Sequence, residues 1–592
     1  MTEVSHVQTI IEDLRNDDEF IRLHAMDKLS TIAIALGYSR TRDELLPFLV
    51  ECTDDDSDTV LLSLAKHLGD FTEYVGGPTY AHTIFPVLTH LLTQEEVLVR
   101  NTAIESMKSI VATLSPEQVN EHLPPLMETL FTGFFTSRAS LCPILPSIFS
   151  YGDPSTRDII CTYYQRLSKD DNPMVRRSCL KSLSPLLTSI SENVTSTPQQ
   201  VSLFRTLLPL LKGFSEDEQD SVRLLGLEVV ADMATYLHLT NERSVVSDID
   251  SLVSLIRSFC TDRSWRVRYV SGDVFPKVVA SFSKSRPMKL PMLIKDFRSL
   301  LCDVELEVRS AACRRIVAIA DTIPSDLVVS EMVPQFRQLS NDESDVVRAT
   351  FTPALLELCS LLPLEAVKKE LLPLHRVLLR DSSSDVRLEV ISHLEAVYSR
   401  FAGSLNDVLV PAINNLATDQ SWRVRLKLIE QMSTLSGLFD QSYFKDNLLH
   451  ICLGGLSDTV FSVREASISQ LGKLANHFGD DWTINILLPN IIKLSYDNSY
   501  LLRMSMLRCL TEIAKTLSND VVINKVLPVV LDLAKDKVPN VRLNVVKSLQ
   551  NLTTLVDDSI VRNSVLPLLE DLENGDIDND VRHYANLALK SC

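Results

Sequence analysis

A short pattern recurs along the whole chain: an Asp, four residues, a Val, Ile or Leu, and then an Arg. The apolar member falls at Ile21, Val60, Val99, Ser137, Val175, Val222, Val267, Val308, Val347, Val386, Val424, Val463, Leu502, Val541 and Val581, with Ser137 the one polar substitute. Successive spacings are 39, 39, 38, 38, 47, 45, 41, 39, 39, 38, 39, 39, 39 and 40 residues. A period near forty, repeated fifteen times, leaves few options for a chain of 592 residues. It predicts an array of identical supersecondary units, because one compact core stops growing well below this length.

Two further marks hold fixed offsets from that apolar position. Asp stands five residues ahead in twelve repeats, with Asn16, Gln94 and Thr132 in the other three, and Arg follows directly in fourteen, Leu61 being the exception. Pro stands thirteen residues ahead at Pro47, Pro86, Pro124, Pro209, Pro334, Pro373, Pro411, Pro489 and Pro528, with Pro567 one residue further off. An Asp in a tight turn accepts hydrogen bonds from the unpaired amides that open a helix, and its charge suits the positive helix end. The Asp is therefore predicted to open a second helix, B. Apolar residues follow at helical spacing, as in Val424, Leu428, Ile429 and Met432. Upstream, segments such as Val526-Leu527-Pro528-Val529-Val530-Leu531 predict a first helix, A, bent by a proline that lacks an amide.

A lone helical hairpin cannot cover its apolar face, but stacked hairpins can. The expected fold is all-α: an α-solenoid superhelix of about fifteen repeats over residues 1–592, a curved elongated rod roughly 120–150 Å long at the usual helix separation of roughly 8–10 Å. Only sixteen glycines in the chain agrees with a helical rather than a turn-rich fold. The Arg after Val is expected to pair with the Asp of the adjacent repeat, forming a structural ladder.

Several function classes are excluded by what is absent. There is no phosphate-cradling glycine loop, no His-Glu-x-x-His, no nucleophile elbow and no grouping of His, Asp and Cys, so no catalysis, cofactor or metal is expected. With 58 Lys and Arg against 77 Asp and Glu, the net charge of −19 repels nucleic acid and favours protein partners. No apolar segment approaches the roughly twenty residues that cross a bilayer, and Met1–His6 has no basic start leading into an apolar stretch. Eleven cysteines without a CxxC pair suit a reducing compartment, so the chain is expected in the cytoplasm, with the nucleus also open to it.

The turn joining helices A and B recurs on one edge, where residue types foreign to a solvated turn are informative. Two of the three tryptophans, Trp265 and Trp422, occupy identical places in Asp-Arg-Ser-Trp-Arg-Val-Arg and Asp-Gln-Ser-Trp-Arg-Val-Arg. Trp and Arg are the types most enriched at interface hot spots, so this edge is the predicted docking surface.

The Pro, Asp and Val-Arg marks at these offsets resemble the HEAT-repeat family. The words Leu45-Leu46-Pro47-Phe48-Leu49, Val75-Gly76-Gly77-Pro78, Pro173-Met174-Val175-Arg176-Arg177, Asp217–Leu225 and the two Ser-Trp-Arg-Val-Arg segments are similar to the scaffolding subunits of type 2A protein phosphatases within it. That resemblance implies a non-catalytic scaffold in a heterodimer or heterotrimer. It implies a phosphatase catalytic subunit on the turns of repeats eleven to fifteen (about 401–592), at Trp422, Arg423, Arg425, Phe461, Tyr500 and Asn540. It implies a variable regulatory B-type subunit on the N-terminal turns of repeats one to ten (about 1–400), at Glu95, Glu96, Arg176, Arg177, Asp220, Trp265 and Arg266. Asp54-Asp55-Asp56-Ser57-Asp58 belongs to the same edge. Departures are Phe134, where the family pattern leads one to expect Trp, and extra polar residues around 191–200 and 240–247, expected to extend loops on the opposite edge. A nuclear transport carrier, also an acidic helical solenoid, is the rival reading.

Overall fold

The computed structural model describes residues 11–194, 197–240, 246–395 and 406–591, and every regular element among them is helical. The chain divides into two compact units, Met1–Glu331 and Met332–Cys592. Each is an α-solenoid of stacked helical hairpins. In the first unit, helices A and B of repeat three are Phe85–Thr93 and Val97–Val111, and those of repeat seven are Val246–Cys260 and Trp265–Ser285. In the second, helix B runs over Trp422–Glu430 in repeat eleven, Phe461–Phe478 in twelve, Tyr500–Ala514 in thirteen and Pro539–Leu552 in fourteen.

The apolar member of the pattern anchors most B helices, Ile21 and Leu502 being half-buried. Val99, Val175, Val222, Val308, Val347, Val386, Val424, Val463, Val541 and Val581 are fully buried. Ser137 is buried too, and its hydroxyl donates to the carbonyls of Leu130 and Phe134, so the one polar substitute is satisfied inside its own turn. Rings fill the space between layers, with Phe275 against Phe297 in the first unit and Phe336 against Phe351 in the second.

The Asp opens the turn and not the helix. In all twelve repeats its Oδ1 accepts the amide of the residue two positions on, as in Asp170 to Asn172, Asp262 to Ser264, Asp419 to Ser421 and Asp458 to Val460, at 2.7–2.9 Å. In those four repeats helix B begins one residue later, at Pro173, Trp265, Trp422 and Phe461. A short carboxylate reaches its own backbone two residues on more easily than the amides three or four on, which explains the difference.

Proline also acts differently from a simple bend. In six repeats a five-residue π-helical turn precedes it, at Thr41–Leu45, Val328–Met332, Val367–Leu371, Thr483–Leu487, Val522–Val526 and Val561–Val565. The ring has no N–H and collides with the carbonyl four residues back, so the backbone widens by one residue before the α-helix resumes. The extra residues of repeats five to seven lengthen helices more than loops: helix B of repeat five is Pro173–Asn193, and the next long helices are Thr197–Ser215, Gly226–Thr240 and Val246–Cys260. The remainder of those two stretches, 195–196 and 241–245, lies outside the described residues.

Candidate docking ridge

The Arg that follows the buried apolar residue fixes one turn to the next. Arg425 donates from Nε to Asp458 Oδ2 at 2.6 Å and from Nη2 to Oδ1 at 2.9 Å, while Nη1 donates to the carbonyl of Asp419 in its own turn at 2.7 Å. One guanidinium thus closes its own hairpin and grips the carboxylate of the following one. Ten such pairs stand among the described residues: Arg22–Asp55, Arg138–Asp170, Arg176–Asp217, Arg223–Asp262 and Arg268–Asp303 in the first unit, and Arg348–Asp381, Arg387–Asp419, Arg425–Asp458, Arg503–Asp536 and Arg542–Asp576 in the second. The ladder expected from the sequence is present. Hydrogen bonding to its Asp partner holds Arg425 above its ordinary pKa. Burial alone would raise the Asp458 carboxyl, but hydrogen bonds from Arg425 and the Val460 amide outweigh it and hold the group below the usual carboxylate range.

At Arg100 and Arg464 the rung is missing among the described residues. Thr132 replaces Asp in repeat four, so Arg100, 6% exposed, donates to the carbonyls of Gln94 and Glu95, and burial lowers its pKa with Glu96 partly offsetting. Arg464 likewise donates to the carbonyls of Asp458 and Thr459, and it stands 5.7 Å from the Phe461 ring; among the described residues no ion pair joins it to Asp497.

With most turns tied to the next by such a pair, the first residue of helix B is presented outward. In the second unit that position holds Trp422, Phe461 and Tyr500 in three consecutive repeats. Phe461 is 57% exposed and Tyr500 42%, whereas Trp422 is half-buried. Arg423 is exposed and lies 4.9 Å from the Trp422 ring, and Arg508 stands 5.6 Å from that of Phe461. The Trp422 and Phe461 plates therefore each carry a guanidinium beside them, an arrangement that stiffens both side chains before anything binds. Asn540 is exposed at the second position of its helix. Arg425 is engaged in the ladder.

In the first unit the structure brings Asp220, Trp265 and Arg266 together. Asp220 Oδ2 accepts from Ser264 Oγ at 3.1 Å and lies 4.0 Å from Arg266 Nη1, and Arg266 sits 5.9 Å from the Trp265 ring, which is 41% exposed and meets Tyr269 edge-on. Glu95 is exposed, and Glu96 caps helix B of repeat three through the Leu98 amide. Arg176 is bound to Asp217, while its neighbour Arg177 is exposed. The acidic turn is a ladder site as well, since Arg22 bridges Asp55 and Asp56. Residues beyond those chosen from the sequence stand beside the same turns: Phe20, Leu98, Phe134, Met174 and Val304 in the first unit, and Val346, Leu501 and Ile577 in the second, are exposed apolar side chains. For Phe20, Leu98, Met174, Val346 and Leu501 the signal is an apolar residue directly ahead of the repeat's apolar position, where an amphipathic helix should be polar, and for Phe134, Val304 and Ile577 it is an apolar residue in the turn itself. Phe134, in the place where Trp was expected, tilts against Phe135 at 4.4 Å and presents its own ring outward.

Among the described residues no three His, Cys, Asp or Glu side chains stand close enough to hold a metal, and no helix is long and apolar enough to cross a membrane.

Residues 526–556 match the HEAT repeat. Part of the chain is similar to the Schizosaccharomyces pombe protein named as the regulatory A subunit of protein phosphatase PP2A, 38% identical over 292 residues, which are 49% of this chain and 46% of that one. It is 37% identical to the Saccharomyces cerevisiae protein of the same name over 47% of this chain and 43% of that protein. The beta isoform of the 65 kDa regulatory A subunit of Rattus norvegicus serine/threonine-protein phosphatase 2A is 43% identical over 178 residues, 30% of each chain. The aligned segments span half or less of the relatives' own length. Among solved structures, Kap121p bound to Pho4p has a TM-score of 0.63 at 15% identity, covering 98% of this chain and 60% of that one, and Kap121p bound to RanGTP has 0.62 at 15%, covering 98% and 59%. At that identity the likeness is one of fold.

Proposed function

We propose that this chain is a non-catalytic scaffold of a protein phosphatase 2A assembly. The relatives that share up to about half of it carry the name of the regulatory A subunit. The observation that carries the reading is the run of three outward aromatic residues, Trp422, Phe461 and Tyr500, each opening helix B in successive repeats, the first two of which the Arg425–Asp458 pair joins. Large aromatic side chains in turns suit a protein partner, since Trp and Tyr are enriched among interface hot spots. In this reading the catalytic subunit sits on those plates with Arg423 and Asn540 at their margin, and Arg425 positions the turn from beneath. A regulatory subunit takes the N-terminal ridge, with the Asp220, Trp265 and Arg266 cluster and Arg177 as contacts, and Arg176 in the positioning role. Holding both on one molecule raises their effective concentration, which is how a scaffold without chemistry promotes a reaction.

The test is a pulldown with purified phosphatase catalytic subunit. Trp422→Ala with Tyr500→Ala loses the catalytic subunit while circular dichroism stays helical, and Arg177→Ala spares the catalytic subunit but weakens a regulatory one. Full retention by the double variant refutes the assignment. The likeness of fold to Kap121p favours one rival, a transport carrier. Capture of a GTP-loaded Ran-type GTPase, with no capture of the phosphatase, would establish that rival instead.

A further inference from the structure

On the B-helix face of the first unit, a groove of about 450 Å³ runs across repeats three, four and five. Its floor is low because repeat four is built from small residues. Helix B there is only Phe135–Leu141 before the chain breaks at Pro143, and it offers Ala139 and Ser140 to the groove. The break is stabilised from outside: Pro143 has no N–H for the Ala139 carbonyl, and Ser178 Oγ donates to that carbonyl at 2.6 Å instead. Ser140 Oγ donates to the Leu92 carbonyl at 2.8 Å, so the floor's polar groups are satisfied within the fold.

The walls differ from the rest of this acidic molecule. Helix B of repeat three contributes Arg100 and Lys108, and helix B of repeat five contributes Arg177 and Lys181; none of the described residues lining the groove is acidic. Arg100 donates to backbone carbonyls, Lys108 reaches the exposed Glu105 one turn back at 2.9 Å, and Arg177 and Lys181 are exposed, with no carboxylate bound to them among the described residues. Another groove in the chain is charge-neutralised: where Arg508, Lys515 and Lys547 line it, Glu465 and Glu512 line it too. Between the cations lie Val97, Ile104 and Met174, with Val97 49% and Met174 41% exposed.

We propose that this groove binds a short, extended, acidic peptide segment of a protein partner, with its carboxylates on Arg177 and Lys181 and apolar side chains on Val97, Ile104 and Met174. Two helix separations of about 8–10 Å give a span of about 16–20 Å, the length of five or six extended residues at about 3.3 Å each. Charge complementarity selects the partner's sign, and a net charge of −19 on the whole chain selects against a nucleic acid, whose continuous phosphates would be repelled beyond the groove. The inference stands on the groove and needs no identity for the partner, but it rests on the scaffold reading in placing that partner on the N-terminal unit.

The experiment uses the full chain and fluorescence anisotropy with a labelled twelve-residue peptide of Glu and Asp carrying two Leu. Binding that weakens at least tenfold in Arg177→Glu with Lys181→Glu, and in Asn101→Glu, which places a carboxylate on the exposed wall without touching the core, supports the proposal. The Trp422→Ala with Tyr500→Ala variant binds this peptide like the wild type, so failure of the phosphatase reading leaves the result interpretable. Equal binding by oligoglutamate without Leu, or by single-stranded DNA of the same length, overturns the proposal in favour of a plain cationic patch. Undiminished binding in the charge-reversed variants overturns it outright.

Discussion

Replacing Asp458 and Asp497 separately by Ala isolates the value of one ladder rung. Asp458 accepts the Val460 amide at 2.8 Å and both prongs of Arg425 at 2.6 and 2.9 Å. Asp497 accepts the Ser499 amide at 2.8 Å, and among the described residues no Arg is paired with its carboxylate. Both changes therefore remove one turn hydrogen bond, worth about 1 kcal/mol, and only Asp458→Ala removes the ion pair. The side chains of that pair are 16% and 10% exposed, so solvent screens it only in part, and its two charge-assisted bonds are worth about 2 kcal/mol. Asp458→Ala is expected to cost about 3 kcal/mol and Asp497→Ala about 1 kcal/mol. Since repeat arrays open locally, the assay is native-state hydrogen exchange of helix B in repeats eleven and twelve, where the difference of about 2 kcal/mol is about thirtyfold in the opening constant. Arg425→Ala in both backgrounds completes the cycle. Equal losses at the two sites, or full additivity of Arg425→Ala with Asp458→Ala, would refute the claim that the pair stabilises the stack.

Acid should weaken the ladder as a whole. At Asp381, Asp458 and Asp536 burial would raise the carboxyl but hydrogen bonds from the paired Arg and a turn amide outweigh it, and at Asp576 the Arg542 hydrogen bonds lead, so all four are held below their ordinary value. The unfolded chain then binds more protons, so this stability is complete above the unfolded carboxyl pKa of about 3.9 and lost as pH falls through the lowered folded values. Urea midpoints should drop steeply below about pH 4, and less steeply in Asp458→Asn; midpoints that stay level from about pH 6 to about pH 3 contradict the linkage. Gly226→Ala should cost about 1–3 kcal/mol, because its Cβ would stand 2.2 Å from Phe259 Cζ and 2.6 Å from Cε1 of a fully buried ring. Gly213→Ala, with open space around its Cβ, should instead gain a few tenths to about 1 kcal/mol as a helical residue; matching urea midpoints for the two variants would discount the packing argument.

What could be read from the chain alone follows from how local each cause is. The period, the two helices per repeat, the buried Val and the ladder all depend on residues at fixed short offsets, so a single sequence exposes them. The Asp lies three residues ahead of the helix it was expected to open, because a cap and an Asx turn use the same residue type and differ only in which amide the carboxylate reaches. The π-turn before Pro is invisible in the sequence because proline's missing N–H reports that a helix must adjust, not how. On the ridge, Trp265, Trp422, Phe461 and Tyr500 are legible as aromatic residues in a turn. Arg100 losing its rung requires knowing that the acceptor comes from the next repeat, where Thr132 stands. The groove over Ala139 and Ser140 is not legible, since it depends on what three successive B helices lack rather than on any motif.

The recurring word separates building from binding by rotation. A helix turns about 100° per residue. Counted from the buried Val424, Arg425 lies about 100° to one side, where it meets the Asp458 turn, and Arg423 about 100° to the other, where it lies over Trp422. Trp422 itself is about 200° away, on the side opposite the core. The first helical position can therefore change without disturbing either the core or the ladder. It does so: Asp58, Val97, Pro173, Asp220, Trp265, Leu306, Trp422, Phe461 and Tyr500 all occupy it, while the ladder position is Arg in fourteen of fifteen repeats. The first helical position and its neighbour are therefore the places where such an array can vary without altering its core or its ladder. A graft of Trp422 and Arg423 onto the equivalent places in another repeat should move contacts without loss of stability, whereas any graft that alters the Arg after Val should not fold equally well.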